Sequence, residues 1–180
     1  MVFPILRTCY LRYYPISLGI PPHIVDPGLG GEYASSENGS GQPIGVATVN
    51  NDVQDQLSWS IRPLLLAGEQ QVENGGLFYH ILSGRLQIPE NQDGFRNNSP
   101  VTPGLQIDLS TDANPVTSYN VEQINDTVTG DAIVTIHPEG GAQGEEWDYV
   151  GVSNGTLNIQ RVRIMPGVEV PAWIVRTSFP

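Results

Sequence analysis

The sequence predicts an all-β protein: an antiparallel β-sandwich of jelly-roll or Greek-key type with an extended, irregular N-terminal arm. Three observations carry that expectation. Apolar and polar residues alternate at period two in short runs, as at 57–62 (LSWSIR) and 105–110 (LQIDLS), which puts every second side chain on one face of a strand. Turn-forming residues separate the runs, with 20 Gly and 15 Pro in 180 residues. No stretch keeps a capped helical period, and no internal repeat is present, which disfavours bundles, solenoids and propellers.

Residues 1–43 differ from the rest. They hold Pro4, Pro15, Pro21, Pro22, Pro27 and Pro43, with glycine-rich stretches at 28–31 and 39–41. Proline at that density opposes long helices and central strands, so the segment is expected to be an arm with two short strands at most. It is too apolar to prefer water, carrying Phe3, Tyr10, Leu11, Tyr13 and Tyr14. It is also mildly basic: residues 1–25 contain Arg7 and Arg12 and no acid.

The body, residues 44–180, reads as strands and turns. Residues 44–49 form a short β-branched run, and 57–62 a half-buried strand. Residues 64–73 are expected to supply a helical turn or two. The runs 77–82 and 85–88 flank Ser83-Gly84, which predicts a hairpin or bulged bend. Further strands fall at 105–110, at 132–137 and on either side of Asn154-Gly155, the pair favoured in two-residue hairpins because both positions need φ > 0. The alternation slips near Gln160-Arg161, so a bulge is expected there. The last runs are 168–170 and 172–176, with Pro171 marking an edge or a bend.

Composition narrows the function. All eight basic residues are arginine, against 19 acidic ones, for a net charge of −11. Such a chain is a poor ligand for nucleic-acid backbones, where cationic side chains supply most of the affinity. No apolar window is long enough for a membrane-spanning helix. Met1–Ile20 is interrupted by Pro4, Arg7, Arg12 and Pro15 and does not read as a signal peptide. The one cysteine, Cys9, leaves no internal disulfide.

Motifs for chemistry are sparse. Gly151-Val152-Ser153-Asn154-Gly155 matches the G-x-S-x-G string, but a strand follows it where a nucleophile elbow needs a helix. His23, His80 and His137 are scattered without metal-ligand spacing. Glu145, Glu146 and Asp148, or Asp126 with Asp131, offer oxygen ligands without a calcium-loop pattern. No catalytic residue, metal site or cofactor is therefore expected. Trp147, beside a glycine-rich loop, is the candidate stacking platform for a sugar.

These features lead to a non-enzymatic structural protein: a homo-oligomeric subunit of a viral or phage particle, of the capsid decoration or cement kind. It would be made in the cytoplasm without a signal peptide and end in a virion or other extracellular particle. Its arm would clamp copies of itself or a larger protein lattice through Phe3, Arg7, Tyr10, Arg12, Tyr13 and Tyr14, since large amphipathic groups and arginine suit interfaces. Neither nucleic acid nor membrane is an expected partner. The alternative is a carbohydrate- or cell-surface-binding module of the fibre or adhesin kind. A hydrolase with acidic catalytic residues comes third.

Overall fold

The computed structural model describes residues 6–19, 28, 30–49, 54–64, 78–84 and 93–179. Within them the protein is nearly all β. In chain order the strands are β1 (Leu6–Tyr13), β2 (Ile16–Ser17), β3 (Glu32–Ser35), β4 (Gly45–Thr48), β5 (Ser58–Pro63), β6 (Phe78–Ser83), β7 (Phe95–Arg96), β8 (Asp108–Leu109), β9 (Tyr119–Asp126), β10 (Ala132–Pro138), β11 (Glu146–Ser153), β12 (Thr156–Arg163), β13 (Glu169–Val170) and β14 (Trp173–Arg176). A single helical turn, α1 (Gln54–Leu57), leads into β5.

Ten strands form one antiparallel sheet in the order β11-β12-β4-β3-β1-β14-β10-β9-β6-β5, and β1 also pairs with β5. That extra pairing closes β1-β14-β10-β9-β6-β5 into a ring of six. On one side β1 takes β14, with Tyr10 opposite Arg176 and Tyr13 opposite Trp173. On its other side it takes β5 first, Cys9 opposite Trp59, and then β3, Arg12 opposite Tyr33. The remaining strands β3, β4, β12 and β11 leave the ring at this fork. They pack back on it: Val150, Leu157 and Ile159 share one core with Trp59, Val134, Ile136 and Trp173.

The first strand departs from the expected arm. Leu6–Tyr13 is an interior strand. Pro4 and Pro15 bracket a proline-free window, and within it both faces carry apolar or aromatic side chains beside arginine and threonine. Cys9 and Leu11 enter the main core, fully buried. Tyr10 turns the other way and packs with Tyr33 and Leu57. Burial on both faces suits a strand at the fork, with one layer of the fold on either side of it. The prolines act as bends: β2 and β13 pair with each other in a separate small sheet beyond Pro15 and Pro171, and Tyr14 N–H donates to Ala172 O at the joint.

The bulge expected near 160–161 is absent, because β11 and β12 pair without interruption from Glu146↔Arg163 to Ser153↔Thr156. The alternation slips there for another reason. Leu157 and Ile159 lie over the core, whereas the strand beyond them projects past it, with Arg161 and Arg163 exposed. The expected strand at 85–88 and helix at 64–73 lie outside the described residues, apart from Leu64 itself.

Candidate functional site

The β11–β12 hairpin organises two polar features of the molecule, an edge filled by side chains and a cleft. Its turn is Asn154 (φ 52°) and Gly155 (φ 76°), so the G-x-S-x-G string is a hairpin turn between strands. A two-residue closure makes Ser153 and Thr156 a hydrogen-bonded pair. By alternation, the backbone groups of Asp148, Val150 and Val152 then face away from β12, along an edge that no strand occupies among the described residues.

Side chains fill that edge. His137 Nδ1–H donates to Asp148 O at 2.9 Å, Trp173 Nε1–H to Val150 O at 2.9 Å, and Gln160 Nε2–H to Val152 O at 3.0 Å. A backbone hydrogen bond from Val152 reaches the Tyr13 phenol, and Asp148 N–H donates to Ala142 O. Gln160 gets across because residue 151 is glycine; a Cβ there would stand 2.6 Å from the Gln160 amide carbon. His137 also lies against Trp147 and Tyr149, and burial holds its pKa below the ordinary imidazole value. Asp148 is buried with both carboxylate oxygens 2.8 Å from Arg161 nitrogens. Burial alone would raise its pKa, but the hydrogen bonds from Arg161 and Ala142 N–H outweigh it and hold the group low.

The residues singled out from sequence fall as follows. Trp147 is half-buried; its indole N–H donates to Gly144 O at 3.1 Å, and its ring stands edge-on to His137. Tyr10 and Arg12 are buried inside the chain's own fold. Tyr10 meets Phe179 edge-on, and Arg12 donates to Gly28 O with its guanidinium 6.0 Å from the Tyr14 ring centre. Tyr13 meets Trp173 edge-on, and Tyr14 packs beside Ile133 and Ile174. Phe3 and the Arg7 side chain lie outside the described residues. His80 sits in β6 opposite Arg62, with its pKa lowered by burial and by that arginine. Among the described residues, no three His, Cys, Asp or Glu groups are arranged to hold a metal.

A polar cleft opens at the turn end of the hairpin. The segment before β8 runs along β12: Ile107 N–H donates to Leu157 O, and Ile159 N–H to Leu105 O. Ile107, Leu157 and Ile159 point inward, fully buried, so alternation turns Gln106, Asp108, Thr156 and Asn158 outward. Gln106 and Asn158 are a cross-strand pair. Asn98, Ser153 and Asn154 complete the walls of a cleft of about 590 Å³. Apart from Gly104 and Leu105, the described residues that line it present amides and hydroxyls with one carboxylate. Burial raises the Asp108 pKa, and Arg96 opposes that rise.

Sequence reasoning missed this cleft. The signal lay in the polar half of each alternation: Gln and Asp in 105–110, and Thr, Asn and Gln in 156–160. An ordinary solvent-facing strand is richer in charge. No protein-family model matches the chain, and none of the curated proteins matches it.

Proposed function

We propose that the protein is a non-enzymatic recognition module, working by contact through the cleft at the β11–β12 turn. The observation that carries this reading is the cleft's lining: a concave face in which hydrogen-bonding groups converge from two adjacent strands and the loop at Asn98. Such convergence suits binding. Turnover of a glycoside needs two carboxyl groups set across the bond, and among the described residues Asp108 is the one carboxylate in the lining. The buried titratable groups at the seam, His137 and Asp148, are held by backbone and by Arg161, which suits a structural role.

Of the two kinds of non-enzymatic protein expected from sequence, the cleft favours the surface-binding module of fibre or adhesin kind. The particle-subunit reading draws no support from Tyr10 and Arg12, which are engaged within the chain. Two measurements test the choice. Attachment of the purified protein to cell or particle surfaces should fall on combining Gln106→Ala with Asn158→Ala, with the melting temperature unchanged. Unchanged attachment would remove the cleft from the function. Sedimentation showing a stable homo-oligomer that the double variant leaves intact would restore the particle-subunit reading.

A further inference from the structure

The chemistry of the cleft also identifies a class of ligand, a step that rests on the recognition-module reading above. Its outward groups are Gln106, Asn154, Asn158 and Asn98 amides, Ser153 and Thr156 hydroxyls, and the Asp108 carboxylate. Amides and hydroxyls both donate and accept, whereas a carboxylate only accepts. The matching ligand therefore presents many groups that do both at short intervals, which describes a polyol. Peptide backbone offers one donor and one acceptor per residue at wider spacing, and it is matched by a strand edge; the β11 edge is already filled by side chains.

Charge decides which polyols. Among the described residues the lining contains no arginine and its one ionisable group is an acid, and the chain carries a net −11. An anionic sugar entering here meets like charge at contact distance and across the whole surface. A guanidinium among the lining groups would favour a sialylated or uronate glycan, whereas Arg96 stands opposite Asp108 in the β7–β8 pair and donates to Asn98 Oδ1 at 2.7 Å. Asp108 supplies the strongest hydrogen-bond acceptor in the cleft, because an ionised acceptor strengthens the bond. A carboxylate has two oxygens with which to accept from adjacent hydroxyls.

We infer that the cleft formed by residues 98, 104–108 and 153–158 binds a neutral glycan. Trp147 does not take part: it lies at the opposite end of β11 from Ser153, six residues along the strand, or about 20 Å. Recognition is by hydrogen bonds without an aromatic platform.

The test is an array of neutral and acidic oligosaccharides, followed by titration of the best neutral binder. The expected result is binding to neutral glycans, with the sialylated or uronate form of the same backbone at least tenfold weaker. Gln106→Ala and Asn158→Ala should each weaken the neutral binder about threefold to tenfold, the worth of one net hydrogen bond. Asp108→Asn should weaken it too and narrow the gap between neutral and acidic forms. Trp147→Ala should leave it unchanged. Each variant is checked for the parental melting temperature, and Thr156→Val replaces any that fails. No neutral glycan bound, preference for acidic glycans, or binding untouched by the cleft variants would overturn the inference. If glycans fail to bind while the cleft variants still weaken surface attachment, the ligand class falls and the recognition-module reading stands. If attachment is untouched as well, both fall.

Discussion

His137 carries its proton on Nδ1 when neutral, because that nitrogen faces the Asp148 carbonyl, which only accepts. Nε2 then accepts from Thr135 Oγ1–H at 2.8 Å. Glu122 and Asp148 favour the charged imidazole, but burial outweighs them and the folded pKa is lowered. The unfolded chain therefore binds the proton more readily. The contribution to stability is present above the unfolded value of about 6.5 and is lost as pH falls through the lowered folded value. Thermal melts between about pH 7.5 and 5 should show declining stability, and His137→Gln should reduce the slope. Part of the slope will persist, since the His80 pKa is lowered in the same direction. An unchanged slope in the variant would show that His137 does not titrate in this window.

Gly151 and Gln160 offer a second residue-scale test. Gly151→Ala puts a methyl group where the Gln160 amide now lies, so the bond to Val152 O is lost at a cost of roughly 1 kcal/mol. Gln160→Ala should cost a similar amount. The two together should cost little more than either, because both remove the same bond. Additive losses in denaturant melts would show that Gly151 and Gln160 act independently, against the shared bond.

At the scale of elements, β11 shows how an unpaired edge can be closed without another strand. Exposed edges invite pairing between molecules, and here three carbonyls in a row take side-chain donors. Trp173→Phe should leave Val150 O buried and unpaired, costing about 1–3 kcal/mol beyond the effect of the smaller ring. The loosened edge should also raise the protein's tendency to self-associate, visible by light scattering. Unchanged stability and scattering would deny the indole its role.

Most of these elements were legible. Strands β5, β6, β10, β11, β12 and β14 sit where alternation and turn residues put them, and Trp59 and Trp173 are both core residues. What escaped had physical causes. Proline content averaged over residues 1–43 hid the eight residues of β1, whose two faces are buried against different partners and so show no apolar–polar alternation. The cleft escaped because its groups are polar residues at ordinary strand positions, made a site only by the pairing of Gln106 with Asn158 across sequence. Trp147 drew attention by its type, yet its indole N–H and ring are held by Gly144 and His137.

For the whole molecule, the fork at β1 is decisive. β1 contacts β3, β5 and β14 at once, and removing it would open the ring and expose both of its faces. Full burial of each large apolar side chain contributes about 1.5–3 kcal/mol, and total stability of a domain is about 5–15 kcal/mol. Deletion of residues 1–13 should therefore abolish cooperative unfolding, as seen by calorimetry. A deletion variant that still melts in one sharp transition would return this segment to the status of an arm. The arginines follow the same logic: Arg12 and Arg176, nearly at opposite ends of the sequence, both donate to the Gly28 carbonyl.

That pairing of β1 with β14 also sets a schedule. β1 must wait for β14, far along the sequence, before the ring can close, since Tyr10 stands opposite Arg176. Contacts between distant parts of a chain are slow to form, because the intervening loop must first be ordered. Synthesis at the ribosome thus leaves the ring open until β14 has emerged. Refolding from denaturant should be correspondingly slow, in the range of milliseconds to seconds typical of sequence-distant β pairings.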